Sequence, residues 1–545
     1  MRSVTRSMGG IRPRRVPAVT RTISSVPKRS AQLSPQVSTQ PSHELSPQLT
    51  PQLATQLSPQ APPSDPHGTT GKICNWVKSI ELKDVPEEIR THTKYLILDG
   101  IGCALVGAKL PWSRTATEAI LKMEGPGNCT VFGWDKRMNP LNAALLNSTF
   151  IQGFELDDVH ADAPWHANSI ILPSLFAALE YNGLGPNSPT FNGESFLLST
   201  IVGFEIGSRV GHALHGSEML TRGWHSGAVF GPPAAAAAVS KLLNLPPDQT
   251  EDAIGTACTQ ACGLMSAQYE SMSKRMQHGF AARNGLFSAL MSKECYTGID
   301  KVFERPYGGY LATFGQGSSN EPAYLLDSLT TELGESWKGL EGIKVKPYAS
   351  MIATHSPIDC IASLQDRYPE SFKDLGSIRK ITIEQSKAPY AHGGQEVRRP
   401  LNAVGAQMST RYTAAVQILD QAVLMDQFGA ANLDRDTLWN MVDKVDCVWN
   451  PEFDKKSAWY TRVTVDFKNR SSLVEEAAQP STYGQPLTNE GIRKKWVMLA
   501  DSVMDADRRD AIESLVLGLE SVDDVGKLIR LLAPKVVDPI GGSVV

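Results

Sequence analysis

The densest polar stretch in the chain is Phe154-Glu155-Leu156-Asp157-Asp158-Val159-His160-Ala161-Asp162-Ala163-Pro164-Trp165-His166, with four acids and two histidines. On composition alone this run fits a divalent-metal site. It fits equally an acid/base site that needs no cofactor, in which carboxylates tune imidazole pKa values. The plainest alternative is a helix C-terminus followed by a solvated loop. The acids lack the alternating spacing of a calcium loop, which weighs against metal. A second cluster runs from Gln268 to Gly279 and carries Lys274, Arg275 and His278 ahead of a helix expected from near Gly279. A helix N-terminus flanked by cations is a ready site for a carboxylate, although an ordinary basic loop has the same composition. His160, His166, His225, His278 and His355 fall in loops or at helix starts, beside Gly, Pro or small residues. Such positions let a rigid element hold the backbone while the ring faces a cavity.

Other chemistries lack their signatures. No HExxH, P-loop or dinucleotide fingerprint occurs. The eight cysteines contain no CxxC pair. Cys258 and Cys262, four apart, are expected on one helix face as packing residues and not as ligands. No metal site is therefore expected.

The elements that must position these groups read mainly as helix. Asp84-Val85-Pro86-Glu87-Glu88 is a start signal, and Leu96, Ile97, Ile101 and Leu105 follow at helical spacing. Further helices are expected over 140–153, 168–183, 194–214, 232–244, 249–268 and 279–294. The Ala234–Ala238 run permits close helix approach inside a bundle. Near Lys344 the character changes. Ile381-Thr382-Ile383 reads as strand, and Trp459–Phe467 with Leu473–Glu476 as a hairpin. Helical periodicity returns over 489–534. The fold class is thus mainly α: a large helical domain (71–343 and 486–545) with an inserted smaller α+β domain (344–485), the two helical ends packing together.

Charge is unevenly spread. The formal charge is −4, yet residues 1–43 hold seven Arg, one Lys and no acid. An Arg-rich, acid-free start is the composition of a mitochondrial transit segment, here 1–45, with a cytoplasmic basic tail as the alternative. Residues 46–70 read as a disordered Pro/Gln/Ser-rich linker. The rest of the chain is acidic, which argues against a nucleic-acid partner. No uncharged apolar run reaches the ~20 residues of a membrane helix, so no integral membrane segment is expected.

Several segments together resemble the MmgE/PrpD family over about 72–535. They are Tyr95–Ala104, Glu155-Leu-Asp-Asp158 with His166, Gly223-Trp-His-Ser-Gly227, Gln260–Tyr269 and Lys274–Gly285, with His355 after Ala353-Thr354 and Tyr412 closing Gln407-Met-Ser-Thr-Arg-Tyr412. The likeness is strongest to the family's fungal cis-aconitate decarboxylases. It implies a cleft between a helical domain and a lid, a homodimer, and decarboxylation of cis-aconitate to itaconate without a cofactor. Dehydration of 2-methylcitrate or another alkylcitrate, or decarboxylation of an alkyl-aconitate, is the alternative. Carried over by position, Glu155, His166, Lys274 and Tyr412 would be catalytic. His225, His355, Lys274 and Arg275 would bind the tricarboxylate. Two features depart from the family pattern: many relatives have Asp where Glu155 stands, and the loop from Asp158 to His166 is one residue longer than in animal relatives. A non-enzymatic reading, a helical scaffold with a decayed site, remains the competing class.

Overall fold

Asp84-Val85-Pro86 delivers the chain into α1 (Glu87–Gly107), with Pro86 itself at the N-cap. Asp84 closes the turn before it, accepting from the Glu81 N–H at 3.0 Å. In this computed structural model residues 61–183, 191–268 and 271–540 are described. The transit segment read at 1–45, and the linker as far as residue 60, lie outside the described residues. Residues 61–70, also read as linker, are instead packed. Ser64 donates from backbone and hydroxyl to the Glu251 carboxylate at 2.6 and 2.8 Å, and a helix already starts at Thr69.

The expected helices are present with shifted ends. They are α2 (Pro140–Ile151), α3 (Ala167–Asn182), α4 (Gly193–Ala213), α5 (Ser226–Leu242), α6 (Pro247–Cys258) and α7 (Ser273–Lys293). α5 packs against α4 and α7, and Ala234–Ala238 is fully buried there. α5 begins at Ser226, well before the expected 232, with Pro232 and Pro233 inside it. A proline removes the N–H that would bond the carbonyl four residues back. The two orphaned carbonyls have other partners here: Ala228 O accepts from the Cys262 N–H, and Val229 O from the Tyr310 hydroxyl. The helix therefore survives its prolines, and His225 becomes its N-cap.

The same contact ends α6 at Cys258, short of the expected 268. Residues 262–264 leave the helix to run against the α5 N-terminus, where the His225 N–H donates to Gly263 O at 3.2 Å. Gly263 has φ +125°, and a Cβ on it would meet the Ala228 Cβ at 2.6 Å, so only glycine fits. Cys258 is buried in α6 and Cys262 is exposed beyond it, so the two do not share a helix face. α7 starts at Ser273, six residues before the expected Gly279. Lys274, Arg275 and His278 are thereby part of its first turns and do not precede it.

A small mixed sheet occupies the C-terminal region. β5 (Ile378–Gln385) lies parallel to β6 (Val445–Trp449) and antiparallel to β7 (Thr461–Phe467), which forms the expected hairpin with β8 (Leu473–Ala477), in order β6-β5-β7-β8. Helix α8 (His355–Arg367) packs on β7 and β8 and against α9 (Thr410–Asp420). Earlier in the chain β1 (Cys129–Val131) pairs with β2 (Lys136–Met138). One short pairing matters for the site: β3 (Val159–His160) lies antiparallel to β4 (Ile343–Lys344), tying the acidic run to the start of the later segment. Finally α10 (Asn489–Asp501) returns to pack on α1, as expected, with Lys495 Nζ 2.7 Å from Asp99.

Candidate active site

The acidic run is not a solvated tail, and two of its carboxylates are paired with cations. Glu155, Asp157 and Asp158 are all buried. Glu155 follows a single helical turn (Gln152–Phe154) and is left-handed, φ 56° and ψ 27°, which is uncommon and costly for a side-chain-bearing residue. Its carboxylate meets three cations: Lys274 Nζ and an Arg275 N–H on one oxygen, and Lys346 Nζ at 3.4 Å on the other. Gln152 Nε2 adds a hydrogen bond at 2.9 Å. Burial would raise the Glu155 carboxyl, but Lys274, then Lys346 and Arg275, outweigh it and hold it well below the usual carboxylate range. Lys495 donates to the Leu156 carbonyl and braces the next peptide.

Asp157 lies 3.0 Å from His166 Nδ1 and 3.5 Å from Lys346 Nζ. Despite burial, those two partners keep its carboxyl low. Asp158 has a structural task, accepting the N–H groups of Ala167 (2.7 Å) and Asn168 (3.1 Å) at the start of α3. That bonding presents His166, the α3 N-cap, towards Asp157. Burial, then Asp157 and Asp99, push the Asp158 carboxyl up to about 8. Glu155 and Asp157 are the two acids in contact with Lys274, Arg275 and Lys346. One positive charge is left over before any imidazole is counted.

These groups face a cavity of about 150 Å³ lined by Glu155, His166, His225, Lys274 and Lys346 on one side. Met351, Met408, Trp459 and Tyr483 line it from the later half of the chain. A larger hollow of about 620 Å³ lies along α4 near Glu205 and Arg209. It holds none of these cations, and the Arg209 guanidinium there is engaged by Glu205 and by backbone carbonyls, so the chemistry belongs to the smaller cavity. Burial brings Lys274 down to about 8, with Glu155 pulling the other way. Burial, then the charges of Lys274 and His166, bring His225 down to about 3. Among the described residues no three His, Cys, Asp or Glu side chains are grouped so as to hold a metal ion.

Four of the residues singled out from sequence thus converge: Glu155, His166, His225 and Lys274. Three do not line the cavity. Arg275 lies beneath it, its guanidinium shared among Glu155, Gln152 O (3.4 Å) and Gln407 Oε1 (2.7 Å), over the Trp112 ring. Fully buried there, it positions Glu155 from outside the cavity lining. His355 is fully buried, Nε2 bonded to Ser350 O (3.1 Å) and Nδ1 to Thr482 Oγ1 (2.8 Å). With both nitrogens occupied it braces two loops. Tyr412 is buried in α9, its hydroxyl donating to Gln427 O at 2.7 Å and its ring on Phe428. Burial raises its phenol further, away from any working pH. One residue of the floor went unselected: Lys346 carries no local motif, and only the β3–β4 pairing brings it in. His278, singled out with Lys274 in the cationic cluster, lies four residues from it and hence on the same face of α7.

The helical body, the mixed sheet and this charged cavity together define the class. The chain matches the MmgE/PrpD N-terminal domain over residues 71–322 and the MmgE/PrpD C-terminal domain over 348–521, and it belongs to that lyase family. Among individual relatives, it is 46% identical over 475 residues to the cis-aconitate decarboxylase-like protein oryM of Aspergillus oryzae, covering 86% of this chain and 98% of that protein. It is 43% identical over 480 residues to the cis-aconitate decarboxylase of Aspergillus terreus, covering 87% and 97%. The human cis-aconitate decarboxylase is 24% identical over 466 residues, covering 84% and 92%.

Proposed function

We propose that this chain decarboxylates cis-aconitate to itaconate and CO₂ without a cofactor. The supporting observation is the cavity floor, where Lys274 and Lys346 leave an excess positive charge beside His166 and His225. A small polyanion loses its hydration on entry, and buried cations replace it. The bond from the CH₂ to its carboxylate breaks. Its electron pair forms the new C=C, and the old π pair takes one proton at the alkene CH. The substrate's own double bond accepts the electrons, so the protein must add anion binding and one general acid. His166, held by Asp157 and facing the cavity, is the donor in this reading. Lys274, Lys346 and His225 hold carboxylates.

The segment bearing Met351, Met408, Trp459 and Tyr483 acts as the lid in this reading. Its apolar wall favours a second substrate, an aconitate bearing an alkyl branch. Purified protein incubated with cis-aconitate, an alkyl-aconitate and 2-methylcitrate, followed by CO₂ detection and NMR of products, decides among them. CO₂ with itaconate is expected. Water loss from 2-methylcitrate without CO₂ overturns the proposal in favour of a dehydratase. We further propose a homodimer, testable by light scattering, and mitochondrial import through residues 1–45. A diffuse cytosolic signal from a 1–45 reporter fusion would replace import with the cytoplasmic alternative. No single helix among the described residues is long and apolar enough to cross a membrane.

A further inference from the structure

His278 is fully buried on α7, one turn beyond Lys274, and does not line the cavity. Neither of its ring nitrogens has a hydrogen-bond partner, which is a costly state for a buried imidazole. Its ring lies between two others, with centroids 4.8 Å from His166 and 4.8 Å from His225, at interplanar angles of 63° and 69°. Two imidazoles joined by an N–H···N bond of ordinary length, about 2.9 Å, have centres roughly 5 Å apart. Both separations are therefore bridging distances, and the soft χ2 torsion of histidine lets the middle ring turn to meet its neighbours. The seat is specific. A Cβ on Gly227 would lie 2.4 Å from His278 Nε2, so the ring fits only because residue 227 is glycine.

The outer rings have complementary open ends. His225 Nδ1 accepts the Ala228 N–H at 3.4 Å, so the neutral ring carries its proton on Nε2. His166 Nδ1 lies 3.0 Å from the Asp157 carboxylate without a formed hydrogen bond; a proton drawn to that nitrogen by the charge leaves Nε2 as an acceptor when the ring is neutral. A group with one donor and one acceptor satisfies both, and a neutral imidazole is such a group. Building on the decarboxylase reading, we propose that His278 is a positioning residue. It bridges His225 to His166 in a one-way chain from the Ala228 N–H to the Asp157 carboxylate, and so fixes the tautomer and aim of the two rings that meet the substrate. The ionisable groups facing it are His225, His166, Lys274 and Glu155.

The test compares His278→Asn, which keeps one donor and one acceptor, with His278→Leu, which keeps neither. Expected is a ~10²-fold fall in kcat for the Leu variant, with a shifted pH profile, and rescue to within ~5-fold by Asn, as misaimed catalytic groups lose about this much. Gly227→Ala, which displaces the ring without removing it, should resemble Leu. Wild-type kcat in the Leu variant, or equal loss in Leu and Asn, overturns the bridge. Nitrogen-15 spectra of histidine-labelled protein give a readout without turnover. Leu should move the His166 and His225 ring-nitrogen resonances, Asn should move them less, and unchanged resonances in the Leu variant overturn the bridge. If the wild type turns over no tricarboxylate, the decarboxylase reading falls, and the spectra still decide the bridge.

Discussion

Replacing Glu155 by Gln removes one charge from a carboxylate that touches three cations, with little change in shape. At an effective dielectric of ~20, a unit pair at the 3.4 Å separating Glu155 from Lys346 is worth about 5 kcal/mol of attraction. Three such partners do not triple the loss, because the carboxylate's own desolvation penalty of several kcal/mol disappears with its charge. The net expectation is that of any buried ion pair broken from one side, a loss of ~3–5 kcal/mol, since the cations stay behind uncompensated. The pH dependence has a definite sign. The Glu155 carboxyl is depressed in the folded chain, so its contribution is full above the unfolded carboxylate pKa and fades as pH falls towards the depressed value. The gap between wild type and variant should therefore be widest near neutrality and close on acidification. Urea unfolding followed by tryptophan fluorescence measures it. Adding Lys346→Met to the Gln variant should recover part of the loss, because one stranded cation is gone. A variant within ~1 kcal/mol of wild type, or strict additivity of the two changes, would refute the view that Glu155 neutralises this floor.

Lys274→Gln should lower turnover of the tricarboxylate by ~10²-fold or more, because one side chain both binds and orients it. Wild-type-like activity would discard the site assignment. With Lys274 brought down to about 8, the free enzyme loses that charge as pH rises through 8, and anion binding favours its protonated form. kcat/KM should fall above pH 8, and a flat profile to pH 9.5 would contradict this. Tyr412→Phe should leave kcat near wild type and cost ~1 kcal/mol of stability, because the Gln427 carbonyl loses its donor. A collapse of kcat with intact folding would return Tyr412 to the catalytic group. Activity should survive EDTA, whereas loss restored by a divalent ion would reinstate the metal reading of the acidic run.

The contrast between Lys274 and Lys346 shows what was legible in the sequence. Lys274 sits in a polar cluster beside a helix, so local composition drew attention to it. Lys346 makes the equivalent contact with Glu155, but its place depends on Val159 pairing with Lys344, a long-range event with no local mark. Helix ends failed for the same reason. The helix expected from Pro232 runs back to Ser226 only because Cys262 and Tyr310, remote in sequence, take the carbonyls that Pro232 and Pro233 free. That extension is what makes His225 a helix N-cap facing the cavity. Tyr412 and His355 show the converse. Their positions matched the resemblance, yet burial and a full set of hydrogen bonds turn their polar atoms inward. His355 and Tyr412, with their polar atoms bonded inside the protein, brace the site from outside the cavity. Lys274, Lys346, His166 and His225 retain unused bonding capacity toward the cavity. A ligand can recruit only that remainder, so the excess charge and open nitrogens at the floor restrict the substrate to an anion more strongly than does the shape of the cavity.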